Sequence, residues 1–109
     1  MPVSLCLPPT PGEPTDTVKL ELADPELVVS LPVRHLIERV EPAPGAPGCI
    51  AIWLRVALER ARPVHVRFQL IDDGAAAPSA RSRRLGTVHR DGADRVVYGT
   101  YLGPASEES

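Results

Sequence analysis

The sequence is poor in aromatic residues, lysine and cysteine, and it has no long apolar run. One Trp, one Phe and two Tyr leave little ring surface for stacking on bases. Lysine occurs once, at Lys19, and the formal net charge is −2. Together these shortages argue against nucleic acid as a partner. No run approaches the roughly 18–20 apolar residues a membrane helix needs, so no membrane span is predicted. The first 15 residues have no basic start, and prolines break their short apolar part, so they do not read as a secretory signal.

Two cysteines, Cys6 and Cys49, are too few for a disulfide framework and predict a reduced, cytoplasmic protein. There is no GxSxG, no P-loop, no GxGxxG and no CxxC, so the reading leans away from an enzyme and predicts no cofactor.

What the chain does have is punctuation. Thirteen Pro and eight Gly suit short strands joined by turns. From Ile50 to Leu58 every second residue is a large aliphatic. The alternation resumes at Val64, Val66, Phe68 and Leu70. Period-two patterning marks strands with one buried face. The polar Glu59–Pro63 connection predicts that the two segments form a central hairpin. On that reading Trp53, Arg55, Arg67 and Gln69 share the face opposite the aliphatic rows. Trp and Arg are common interface anchors, so these four form the candidate interface.

Upstream, Val18, Leu20 and Leu22 alternate with Lys19 and Glu21, which predicts a strand over 17–23. A turn at Ala23–Glu26 and a second strand over 27–31 follow. Residues 31–40 read two ways. Val33, Leu36, Ile37 and Val40 have helical spacing, while a strand over 34–40 would put Leu36, Glu38 and Val40 on one face. Glu41–Gly48 is a Pro- and Gly-rich break. Near the C-terminus, 85–90 and 95–102 flank a turn at Asp91–Asp94 and read as a second hairpin.

Charge is uneven. Residues 1–48 carry three basic and seven acidic side chains, and residues 49–105 carry nine and five. Arg81, Arg83 and Arg84, in a flexible loop, are the candidate anion-binding residues. His35, His65 and His89 each have an Arg nearby, which disfavours a metal cluster, and no metal site is predicted. Asp72-Asp73-Gly74 lacks the further acids of a calcium loop and reads as a strand-ending turn.

Leu22-Ala23-Asp24, Leu36-Ile37-Glu38-Arg39-Val40, Glu59-Arg60-Ala61-Arg62 with His65, and Leu70-Ile71-Asp72-Asp73-Gly74 carry a resemblance. Over residues 18–74 the chain resembles a family of small β-sandwich proteins of unknown function, common in actinobacteria. The resemblance implies a strand over 33–40 and brings no catalytic residues.

The expected fold is all-β, an immunoglobulin-like antiparallel β-sandwich of six or seven short strands. Residues 1–16 form an extended Pro-rich arm, 17–102 the domain, and 103–109 a disordered acidic tail. The expected function is a non-enzymatic protein-binding or assembly module. It would meet a protein partner or a second copy through strand edges and the hairpin's outer face. The alternative is a small ligand-binding or hydrolytic β-barrel domain, which the aliphatic inward rows disfavour.

Overall fold

The computed structural model describes residues 3–23, 25–43, 45, 48–58, 62–90 and 92–104. Seven strands run through them: β1 (Thr15–Leu22), β2 (Glu26–Pro32), β3 (His35–Pro42), β4 (Ile50–Ala57), β5 (Pro63–Asp72), β6 (Arg83–Arg90) and β7 (Ala93–Pro104). One antiparallel sheet has the order β1-β4-β3, and the other β2-β5-β7-β6. The two sheets enclose one core, so the chain is an all-β sandwich. In the immunoglobulin constant domain the first two strands are sheet neighbours. Here β1 pairs with β4 and β2 with β5, so the chain crosses between layers from β1 to β2, from β2 to β3 and from β4 to β5.

The expected central hairpin is absent. β4 pairs with β1 and β3, while β5 pairs with β2 and β7. The alternating rows are buried faces except at Leu58, which lies past the end of β4 and is 52% exposed, and they meet across the core and not along one sheet. Ile50, Ile52, Leu54 and Val56 of β4 and Val64, Val66, Phe68 and Leu70 of β5 belong to the same cluster. Each such burial contributes about 1.5–3 kcal/mol. An arch between layers satisfies two one-faced strands as well as a hairpin does. Arg62, which ends the arch, has a φ of +65°, a left-handed conformation uncommon for a side-chain-bearing residue. Glu59–Ala61 and the tail 105–109 lie outside the described residues.

The ambiguous segment 31–40 is extended and not helical: Leu31 and Pro32 end β2, Val33 and Arg34 form a turn, and β3 begins at His35. Its inward residues differ from the expected Leu36, Glu38 and Val40. His35 and Ile37 are buried, and a bulge between Ile37 and Arg39 then turns Val40 inward. The bulge inserts Glu38 as an extra residue, which shifts the alternation by one. The C-terminal hairpin, β6–β7, forms as expected, with a bulge between Arg84 and Gly86.

Two glycines set how closely the layers approach. A Cβ on Gly86 would stand 2.6 Å from Val40 Cγ2, so the edges of β6 and β3 touch here through a missing side chain. A Cβ on Gly99 would stand 2.9 Å from Leu5 Cδ1 and 3.2 Å from Leu85 Cδ1. Gly99 thus opens the slot that receives Leu5, which is buried.

Leu5 belongs to the N-terminal arm, which hugs an edge. Val3 and Ile37 exchange backbone hydrogen bonds of 2.9 and 2.7 Å, and the His35 N–H donates to Leu7 O at 3.0 Å. The arm therefore satisfies the outward N–H of His35 and both outward backbone groups of Ile37 on β3. His35 fastens it further. The ring is fully buried, Nδ1 donates to Pro32 O at 2.9 Å, and Nε2 accepts the Leu5 N–H at 3.3 Å. This pairing fixes the neutral tautomer with the proton on Nδ1. The arm's proline stretch ends at a turn where Glu13 Oε1 accepts the Thr10 N–H and hydroxyl, at 2.8 and 2.9 Å. These bonds hold the Glu13 carboxyl below its usual range.

Candidate functional site

The four residues of the expected interface do not share a face. Trp53 and Arg55 lie on the outer face of the β1-β4-β3 sheet. Arg67 and Gln69 lie on the outer face of the other. The core separates them.

Around Trp53 the outer face is already occupied. Lys19 and Arg39 flank Trp53 in register on β1 and β3. The Lys19 ammonium lies 5.7 Å and the Arg39 guanidinium 4.9 Å from the ring centroid. The indole N–H donates to Glu41 Oε2 at 2.8 Å, and Arg39 Nε donates to Glu41 Oε1 at 3.3 Å. The indole bond first, and Arg39 after it, hold the Glu41 carboxyl below its usual range despite partial desolvation. Arg55 Nη2 pairs with Glu38 Oε2 at 2.8 Å. Exposed cation–π contacts contribute about 0.5–1 kcal/mol each. This face serves its own sheet.

On the other outer face, Arg67 approaches Glu26 at 3.3 Å as an ion pair without hydrogen-bond alignment. Gln69 Oε1 is buried with no hydrogen-bond partner among the described residues. Arg83 and Arg84 pair with the successive residues Gly99 and Tyr98, so they leave opposite faces of β6. Arg84 Nη2 donates to the Thr87 hydroxyl at 2.8 Å. With Arg81 in the preceding turn, the three arginines do not converge as one anion patch through these positions. The histidines are scattered too. His35 is buried, His65 is exposed, and His89 contacts Asp94 Oδ1 at 3.0 Å. Among the described residues no three His, Cys, Asp or Glu come together. No helix among them is long and apolar enough to cross a membrane.

The edges differ in what they leave open. β3 is covered by the arm and lies against β6. β1 and β2 each pair on one side alone. Backbone bonds fix which of their groups face outward. Leu70 N donates to Pro25 O, and the β2–β5 register continues as Leu27↔Phe68, Val29↔Val66 and Leu31↔Val64. Antiparallel ladders alternate, so these residues bond to β5. Glu26, Val28 and Ser30 then point their N–H and C=O groups away from the sheet. By the same argument from Leu58 N and Pro14 O, β1 turns out Thr15, Thr17, Lys19 and Glu21.

The β1 edge is guarded by charge, with Lys19 and Glu21 paired at 3.6 Å. At the middle of the β2 edge stands Val28, 49% exposed. Charged side chains, especially Lys, with Pro and bulges are the usual guards of an edge. Between Pro25 and Pro32 the β2 edge has no Lys, Pro or bulge, its register with β5 is unbroken, and its one charge is Glu26 at the end of the strand. Sequence reading missed this site because it assigned β2 no neighbour. The visible signal was a β-branched pair, Val28-Val29, in a strand without a basic residue.

A pocket of about 320 Å³ lies at one end of the sandwich. The arm gives it Cys6 and Leu7, and Val33 comes from the β2–β3 turn. Residues 62–64 line it where β5 begins, and Tyr101 and Pro104 where β7 ends.

The chain matches no family model, no curated protein and no solved structure.

Proposed function

We propose that the protein is a non-enzymatic binding module that receives an extended segment of a protein partner as an added strand on β2. The open edge of β2, centred on Val28, carries the reading: Glu26, Val28 and Ser30 offer three N–H and three C=O groups to a neighbour. Backbone bonds give such an addition its affinity, and side chains beside the edge its selectivity. Pro25 and Pro32 bound the edge, so the added segment is about five residues long. Val28 meets its apolar side chains, and the Glu26–Arg67 pair its polar ones. The free thiols of Cys6 and Cys49 fit the reducing, cytoplasmic setting expected of the sequence. The resemblance to small actinobacterial β-sandwich proteins fits the fold and adds no chemistry.

The test is selection from a displayed library of random peptides, with wild type beside Val28→Pro. The Val28 N–H faces away from β5, so proline removes an edge donor and leaves the β2–β5 ladder standing. Wild type is expected to enrich short segments with alternating apolar residues, and Val28→Pro to enrich none. Equal enrichment by both, or none by wild type, contradicts the reading.

A further inference from the structure

The end pocket has a chemistry of its own, separate from the β2 edge. Its volume, about 320 Å³, is within the range of small-molecule sites. Leu7, Val33 and Val64 make it apolar. Pro63 and Pro104 give it walls with fixed φ, so little ordering is required when a ligand enters. Its polar contribution is one-sided. Among the described residues, Arg62 is the one charged residue in the lining, and no carboxylate lines it. Arg34, Arg39, Arg55, Arg67 and Arg95 each have a carboxylate partner within 4 Å. Arg62, held at a φ of +65°, makes no ion pair or hydrogen bond with any residue among those described. The Tyr101 hydroxyl likewise has no partner among them. Guanidinium is a donor only, and a phenol beside it donates readily to an anion. An apolar cavity whose one charged group is a donor-only cation, beside a phenol able to donate, selects a ligand with an apolar body and an anionic acceptor end.

We propose that this pocket binds a small apolar carboxylic acid, with its hydrocarbon against Leu7, Val33 and Val64 and its carboxylate toward Arg62 and Tyr101. The arm forms one wall, so the site exists while His35 holds Leu5 in place.

The experiment is a titration of the ¹⁵N-labelled chain with sodium octanoate, with 1-octanol and sodium acetate as controls, for wild type, Arg62→Gln and Tyr101→Phe. Octanoate is expected to shift the amides of Leu7, Val33, Val64 and Tyr101 in wild type. Octanol, lacking the carboxylate, should bind roughly tenfold more weakly, the usual order for losing one charge-assisted hydrogen bond. Acetate, lacking the apolar body, should leave these amides unmoved. Arg62→Gln should bind the acid and the alcohol alike, and its own spectrum reports that it is folded. Three results overturn the proposal: no shifts at these amides with octanoate, shifts confined to other parts of the chain, or equal binding of octanoate and octanol to wild type.

Discussion

Acidification just below neutral pH should loosen this protein through His35. The ring is fully buried, with Nδ1 donating to Pro32 O and Nε2 accepting the Leu5 N–H. A proton on Nε2 would set two donors face to face and place a charge in the core. Burial therefore lowers the His35 pKa below its ordinary 6.5, and the Pro32 carbonyl opposes this only in part. The sign follows from linkage. Below 6.5 the unfolded chain takes up a proton that the folded chain refuses, so stability is full above that value and falls as pH drops through it. The loss approaches about 1.4 kcal/mol for each pH unit between the unfolded and folded values. Glu13 and Glu41 are lowered from 4.5, so their contributions vanish at more acid pH and leave this window clear. Urea unfolding at pH 7.5 and 5.5 reads the effect. Wild type should lose up to about 1.4 kcal/mol over that interval, and His35→Phe should lose less. Equal wild-type stability at both pH values would refute the reasoning.

The arm and the layer contacts give further expectations. Leu5→Ala should cost about 2–3 kcal/mol, at the low end for a buried leucine because the site is at an edge. Amide exchange at Ile37 should accelerate in the same variant. Gly86→Ala should cost about 1–3 kcal/mol through overpacking against Val40, measured by thermal unfolding. Val40→Ala should relieve part of that loss in the double variant. Arg55→Ala should change stability by less than about 1 kcal/mol, because its pair with Glu38 is half exposed.

Strand identity was legible because a period of two reports which face of a segment is buried. It does not report the neighbour. The rows of β4 and β5 suit a hairpin and a facing pair equally, and the choice depends on the arch at Arg62 and on competition from β1 and β7. That one error joined Trp53 and Arg55 to Arg67 and Gln69, which occupy opposite outer faces. The bulge at Glu38 concealed His35, since alternation counted back from Val40 placed it outside. Val3, Leu5 and Leu7 alternate as an edge-bound arm does, but the prolines that follow give the N-terminal stretch the pattern of an unpaired extended segment. The roles of Gly86 and Gly99 depend on neighbours from distant segments, which local pattern does not contain. Residues 31–40 stay open between helix and strand in the pattern alone, because Val33, Leu36, Ile37 and Val40 have helical spacing; a strand over 33–40 is what the resemblance implies.

The most direct test of strand addition on β2 is amide hydrogen exchange with and without a peptide selected by the wild-type chain. The amides of Glu26, Val28 and Ser30 face outward in the free protein. On peptide addition these three should become protected, while Thr17, Lys19 and Glu21 on β1 keep their rates. Protection that appears on β1 or around Trp53, with the β2 amides unchanged, would contradict the account.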